Sequence, residues 1–246
     1  MTGMTDIPER PALRGGIIAA GLGSRLRAGG RQGSKAMAEV FGRPLIAHAL
    51  DRFRAAGVSQ VTVIINEDSD DCRLWLGSHA QDFMLDLIVR STPSSYASFS
   101  LVADRLAGAP ALITTVDALM RPEVFQAFVT AAGGFGDDAV VLGLTDHVDD
   151  ENPLWATLDP ANGRIRQLGA EAGSHVTAGL YWLPARLTAA PASGFPRLRG
   201  YLKWLVEARQ PVCGAVLPLV FDIDWVRDIE AAEAAGLLSR NGSAAE

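Results

Sequence analysis

Up to residue 145, short β-branched apolar runs alternate with stretches whose apolar residues recur at helical spacing. This alternation constrains the fold more than any other feature of the chain. Leu13 to Ala20 reads as a buried strand leading into a glycine loop, and "PLIAHALDRFRAAGV" as a helix stopped by Gly57. "QVTVIIN" is a second strand, apolar enough to be covered on both faces as in a parallel sheet. "CRLWLGSHAQDF" follows as a helix and "LDLIVR" as a third strand; "SSYASFSLVADRLAGA" is a helix that serine can cap. "PALITTVDALM" is a fourth strand running into an acid, and "PEVFQAFVTAAGG" a helix with Pro122 near its start. Strand–helix–strand repetition of this kind predicts an α/β fold with a mostly parallel sheet and right-handed crossovers.

Beyond residue 145 the pattern changes. "PLWATLDPANGRIRQLG" reads as two antiparallel strands around an Asn162-Gly163 turn, and "HVTAGLYWLP" as another strand. "VCGAVLPLVFDID" is a late strand, and "DWVRDIEAAEAAGLL" a closing helix. The simplest organisation is a flexible leader at 1–13, one domain at 14–238 and a flexible tail at 239–246. Within the domain, 14–145 forms the first half and 146–238 a β-rich second half.

With 48% hydrophobic residues in 246, a full core can be buried. A net charge of −6 argues against a general nucleic-acid surface, though a nucleotide site needs only a few cations. Two cysteines, Cys72 and Cys213, give neither a disulfide framework nor a metal-type spacing. No run approaches the ~18 consecutive apolar residues of a membrane span, and the N-terminus lacks a signal-peptide core. The expectation is a cytoplasmic protein without membrane or nucleic-acid partners.

Glycines between a strand and a helix let backbone N–H groups approach phosphate oxygens. Gly21-Leu22-Gly23 alone is equally well a tight turn. It fails the dinucleotide fingerprint, whose third glycine would fall at Leu26, and it lacks the Gly-Lys-Ser/Thr ending of a P-loop. Arg25 and Lys35, separated by the polar "LRAGGRQGS", add two cations that could neutralise a triphosphate and its leaving pyrophosphate. As residue types they are equally at home as solvated surface charges.

"AAGLGSRL", a lysine beyond a glycine-rich gap, and "VFGRPLI" stand in the order and spacing of a known signature. The chain resembles nucleotidyltransferases of the sugar-phosphate type, a superfamily that includes sugar-1-phosphate, phosphocholine and molybdenum-cofactor (MobA-like) nucleotidyltransferases. Ser34 stands before the lysine, where proline is commoner. The resemblance implies a three-layer, Rossmann-like nucleotide-diphospho-sugar transferase fold, with 14–145 binding nucleotide and 146–238 the acceptor. It implies that Ala19, Ala20, Gly21, Leu22, Gly23 and Ser24 surround the nucleotide, that Arg25 and Lys35 grip the triphosphate, and that Pro44 and Leu45 open a buttressing helix.

The same resemblance bears on the acids. From the residues alone, Asp117 at its strand end is a metal ligand or a helix cap in equal measure. Asp222 and Asp224 alternate with apolar residues, and on a strand would share one face. Otherwise Asp224 caps the last helix and Asp222 is solvated. By resemblance, Asp117 and one of Asp224 or Asp222 hold Mg²⁺, with Asp224 preferred. Ser94, Ser95 and Ser98 are capping candidates that the resemblance places at the nucleobase; the Ser-Phe-Ser-Leu run is similar to the cytidylyltransferase branches and points to cytosine, and the expected NTP is CTP or UTP.

Gly179 would permit close approach of a ligand, which the resemblance makes the acceptor, while Tyr181 and Trp182 are equally core residues. The Glu-Lys pair that sugar-nucleotide enzymes carry after this hairpin is absent. Arg166 and Glu171 stand nearest in type, which leaves a hexose phosphate acceptor open. The acidic "DHVDDENP" at 146–153 reads as a solvated loop. The four histidines form no metal spacing, and His48 reads as structural.

The activity expected from this reading is transfer of NMP from an NTP to a small phosphorylated acceptor, with release of pyrophosphate. The alternatives keep the fold and change the acceptor to phosphocholine or molybdenum cofactor, or make the chain a non-catalytic nucleotide binder.

Overall fold

A computed structural model describes residues 12–188 and 194–238. The leader expected at 1–13 lies outside these except for Ala12 and Leu13, and the expected tail at 239–246 lies wholly outside. The first half runs β1 (Arg14–Ala19), α1 (Ser24–Ala28), β2 (Glu39–Val40), β3 (Arg43–Pro44), α2 (Leu45–Ala55), β4 (Gln60–Ile65) and α3 (Asp70–His79). It continues with β5 (Met84–Val89), α4 (Ser95–Arg105), β6 (Ala111–Thr115), β7 (Ala118–Leu119), α5 (Pro122–Gly133) and β8 (Val140–Thr145). The second half holds β9 (Trp155–Leu158), β10 (Ile165–Ala170), β11 (His175–Leu183), α6 (Ala185–Thr188), α7 (Leu198–Glu207), β12 (Val212–Leu217), β13 (Phe221–Asp222) and α8 (Val226–Ala234).

A nine-stranded sheet passes through both halves in the order β10-β9-β11-β6-β1-β4-β5, with β8 and β12 branching from β11. Its centre is parallel, β6-β1-β4-β5, as the alternation of strands and helices requires. The antiparallel hairpin of β9 and β10 and the long β11 supply the β-rich half. The class is therefore α/β with a largely parallel central sheet.

Gly15 and Gly16 show why the sheet is covered on both faces. A Cβ on Gly15 would come within 2.6 Å of Phe53 in α2, and one on Gly16 within 2.5 Å of Val102 in α4. Side-chain alternation along a strand sends these two positions to opposite faces, so a helix presses on each side of β1. Phe53 in turn meets Phe125 of α5 edge-on at 5.2 Å, and Tyr96, Phe99, Tyr181 and Tyr201 fill the opposite layer.

α7 has no counterpart in the sequence reading above, although its signal is ordinary. Leu198, Tyr201, Leu202 and Leu205 are buried at helical spacing. Ser95 Oγ accepts the Leu198 amide at 3.1 Å, fixing the start of α7 against the start of α4.

Candidate active site

The site forms because a late, two-residue strand returns to the end of an early one. β13 pairs antiparallel with β7, Asp222 opposite Ala118, and the Asp117 carbonyl accepts the Ile223 amide at 3.1 Å. Residues more than a hundred positions apart are thereby held at the C-terminal end of β6. One carboxylate oxygen from each of Asp117, Asp222 and Asp224 lies within 4.8 Å of the others.

Lys35 enters this acid trio from the glycine-loop side. It begins a 3₁₀ turn (Lys35–Met37), is 7% exposed, and bonds to Asp117 Oδ2 at 2.5 Å and to Asp224 Oδ1. Gly23 has φ +61°, and a Cβ there would sit 2.9 Å from Lys35 Cβ, so the loop lies directly on the lysine. The turn is anchored behind by Asp71, whose carboxylate accepts the Ser34 amide at 2.8 Å. Arg25 bonds to Asp224 Oδ2, and its guanidinium lies 5.5 Å over the Trp225 ring.

Burial works against a charged lysine, but Asp117, Asp224 and Asp222 more than offset it and hold Lys35 above its usual range. The balance is reasonable, since unit charges 4 Å apart attract by about 4 kcal/mol at an effective dielectric near 20, and two acids contact the ammonium. Burial likewise opposes ionisation of Asp117, yet Lys35 keeps its carboxyl below the usual range. Among the described residues, no cation contacts the Asp222 carboxylate directly. Burial, then repulsion from Asp117, pushes its carboxyl up to about 8.

That shift has a measurable sign. An unfolded Asp ionises near 3.9, whereas folded Asp222 keeps its proton up to about 8. Its contribution to stability is complete below about pH 4 and is lost as pH rises to about 8. Asp222→Asn removes the titration. In EDTA it should gain melting temperature over wild type between pH 5 and pH 9, by about 2–4 °C per kcal/mol recovered in a chain of this size. An unchanged gap between the two pH values would show that the carboxyl is not held protonated.

A cavity of about 520 Å³ opens from the acid trio toward the second half. Its lining includes Thr115 and, from β11, Ala178, Gly179 and Tyr181, with Gly179 at φ +69°. A Cβ on Gly179 would come within 2.5 Å of Thr115 Oγ1, so the strand bulges there onto the end of β6. The far walls are the 147–154 segment and the start of α7, which presents Arg197 and Arg199.

The remaining sequence candidates divide cleanly. Ala19 and Ala20 are buried at the end of β1, Gly21 and Leu22 are exposed, and Ser24 is the first residue of α1. Ser94 caps α4 by accepting the Ala97 amide at 3.2 Å, and Ser98 is buried with its hydroxyl 2.6 Å from Thr92 Oγ1. Of the three serines only Ser95 lines the cavity. Arg166 is paired with Asp159 at 3.0 Å on the outer hairpin and is not among the cavity-lining residues. His48 is buried in α2 and bonded to the Val40 carbonyl at 2.9 Å. Asp224 does not cap α8; Asp228 accepts the amides of Asp224 and Trp225 instead, at 2.9 and 2.6 Å.

Segment 146–153 corrects the expectation of a solvated loop. Its side chains are used: Asp149 accepts the Asp222 amide, Glu151 pairs with Arg227 at 2.9 Å, and the His147 ring packs on Phe221 at 4.5 Å. Arg199 of α7 donates to the Asn152 carbonyl at 3.0 Å. These partners lie far along the chain, so the charge pattern alone showed a polar run and not the walls it contacts.

With the geometry in place, the comparison with known proteins is decisive for family. The MobA-like NTP transferase domain matches residues 15–240. The chain belongs to that family. It is 30% identical over 88 residues to the CMP-5'-(3-aminopropyl)phosphonate synthase of Streptomyces rubellomurinus, covering 36% of this chain and 14% of the relative. It is 31% identical over 210 residues to a glucose-1-phosphate thymidylyltransferase of an Actinoplanes species, covering 80% and 66% respectively. The inositol-1-phosphate CTP transferase of T. maritima shares the fold, with TM-score 0.75, 17% identity, and coverage of 93% of this chain and 98% of that one. Among the described residues, no helix is long and apolar enough to cross a membrane.

Proposed function

We propose that this member of the family transfers a nucleoside monophosphate from an NTP to a small phosphorylated acceptor and releases pyrophosphate. The observation that carries the reading is the meeting of Lys35 and Arg25 with Asp117, Asp222 and Asp224, the acids and Arg25 lining the 520 Å³ cavity. The donor set suits Mg²⁺, a hard cation that takes carboxylate oxygens and keeps room for substrate phosphates. Bound by Asp117 with Asp224 or Asp222, Mg²⁺ would offset the repulsion between the two phosphorylated reactants.

The chain's own residues perform the rest. Gly21 to Gly23 bring the backbone close to the triphosphate, and Arg25 and Lys35 carry the charge that accumulates as pyrophosphate leaves. An acceptor phosphate oxygen forms a bond to the α-phosphorus while the bond from the α-phosphorus to the bridging oxygen breaks, and pyrophosphate departs with that electron pair. An acceptor phosphate is ionised near pH 7, so no side chain need remove a proton. Arg197 and Arg199, at the cavity wall, are the cations best placed to orient the acceptor; they take the part that Arg166 cannot reach.

The substrate pairing is proposed as a pyrimidine nucleotide, CTP or UTP, with a sugar-1-phosphate or a phosphorylated or phosphonylated alcohol. Two of the relatives named above carry glucose-1-phosphate and inositol-1-phosphate in their names, and the third is named for making CMP-5'-(3-aminopropyl)phosphonate. The test is pyrophosphate release with each of the four NTPs, Mg²⁺, and a panel holding those acceptor classes. One NTP–acceptor pair should exceed the others by at least tenfold in kcat/KM. Absence of any NTP binding at millimolar concentration would sink the enzymatic reading and favour a role without NTP chemistry.

A further inference from the structure

The segment that carries two of the acids, Asp222-Ile223-Asp224, is too short to hold its own shape. β13 has only two residues, and Asp224 lies beyond it. Two further carboxylates pin its backbone. Asp149 Oδ2 accepts the Asp222 amide at 2.9 Å, and Asp228 Oδ2 accepts the Asp224 and Trp225 amides. Asp228 belongs to α8 and is 7% exposed; Asp149 lies on the 146–153 segment and lines the cavity.

Asp149 is itself held in place. His147 Nε2 stands 3.7 Å from its Oδ2, and the His147 ring packs on Phe221, the residue before Asp222. Farther along the segment, Glu151 is tied to Arg227 and the Asn152 carbonyl to Arg199. A chain of contacts thus runs from the cavity wall to the backbone under the acid trio.

We infer that Asp149 is a positioning residue: its carboxylate, through the Asp222 amide, sets where the Asp222 side chain meets Asp117 and Asp224, and so sets the affinity of the trio for a divalent cation. The inference rests on the metal reading in the proposed function and adds a residue outside the trio of acids. Groups that orient metal-binding side chains typically contribute 10–100-fold to affinity.

The experiment is titration of the nucleotide-free protein with Mn²⁺ alone, following the electron paramagnetic resonance of the free ion. Asp149→Ala should weaken binding about tenfold. Asp149→Leu, close in shape but unable to accept a hydrogen bond, should do the same and guards against collapse of the segment. Asp149→Asn keeps an acceptor oxygen for the Asp222 amide and should stay within about threefold of wild type. Equal affinity in all four proteins would overturn the inference. So would an Asn variant as weak as the Ala variant, because charge near the cavity, and not the accepted hydrogen bond, would then act. If wild type itself binds no Mn²⁺, the metal reading fails and this inference with it, an outcome distinct from the other two.

Discussion

Asp117→Ala is expected to lower kcat/KM for pyrophosphate release by about 10³-fold or more, with Asp117→Asn close behind it. Each 1.4 kcal/mol of lost transition-state stabilisation is about tenfold in rate, and a bound divalent cation contributes several kcal/mol to phosphoryl transfer. On the proposed metal reading, that contribution depends on Asp117. It sits at the end of β6, contacts Lys35 at 2.5 Å, and its carbonyl anchors Ile223 between the other two acids. The Asn variant separates charge from shape, because its side chain can still bond to Lys35 through its oxygen but adds no negative charge. Activity within tenfold of wild type for Asp117→Asn would show that the trio is not the catalytic metal site. The loss should appear chiefly in kcat at saturating Mg²⁺, since Lys35 and Arg25 remain to grip the triphosphate.

The parts of this site differ in how plainly the sequence announces them. The strand, the glycine loop, Arg25 and Lys35 fall within one continuous segment, where spacing conveys geometry directly. Asp117 follows a strand whose apolar, β-branched composition fixes where the carboxylate emerges. Asp222 and Asp224 are visible as an Asp-x-Asp pair, but their proximity to Asp117 depends on the β7–β13 pairing, two residues in each strand. No periodicity exists in so short a run, and only the structure supplies it.

The far wall of the cavity is less legible for the same reason. Arg197 and Arg199 reach the cavity because Ser95 fixes the start of α7, a contact across a hundred residues. Arg166, which composition offers in the same neighbourhood, points instead to Asp159 on its own hairpin. Asp149 and Asp228 look like ordinary surface acids until the amides they accept are known. Local pattern thus places the glycine-loop side of the site, while long-range pairing builds the opposite wall of the cavity.

Replacing Lys35 by Met should produce two losses with different causes. The first is in activity, about 10²–10³-fold, since the leaving pyrophosphate loses a preorganised cation of the kind that typically contributes this much. The second is in stability in the absence of metal. Met fills much the same space, so packing changes little, but Asp117 and Asp224 lose their shared counter-charge while their oxygens stay within 4.8 Å. Removing one partner of a buried ion pair typically costs about 3–5 kcal/mol, whereas removing both partners is often neutral. At roughly 2–4 °C per kcal/mol, the melting point in EDTA should fall by about 10 °C. The acids can limit the loss by binding a proton, so the deficit should shrink at pH 5 and widen at pH 9. Millimolar Mg²⁺ should recover part of it by restoring a cation to the trio, and Asp224→Asn in the Lys35→Met background should recover part of it without metal. A Lys35→Met protein that melts with wild type at every pH, and gains nothing from Mg²⁺, would mean that the lysine is not the counter-ion of these acids. A variant that loses stability but keeps its rate would instead separate the two roles, leaving Lys35 to the fold and Arg25 to the triphosphate.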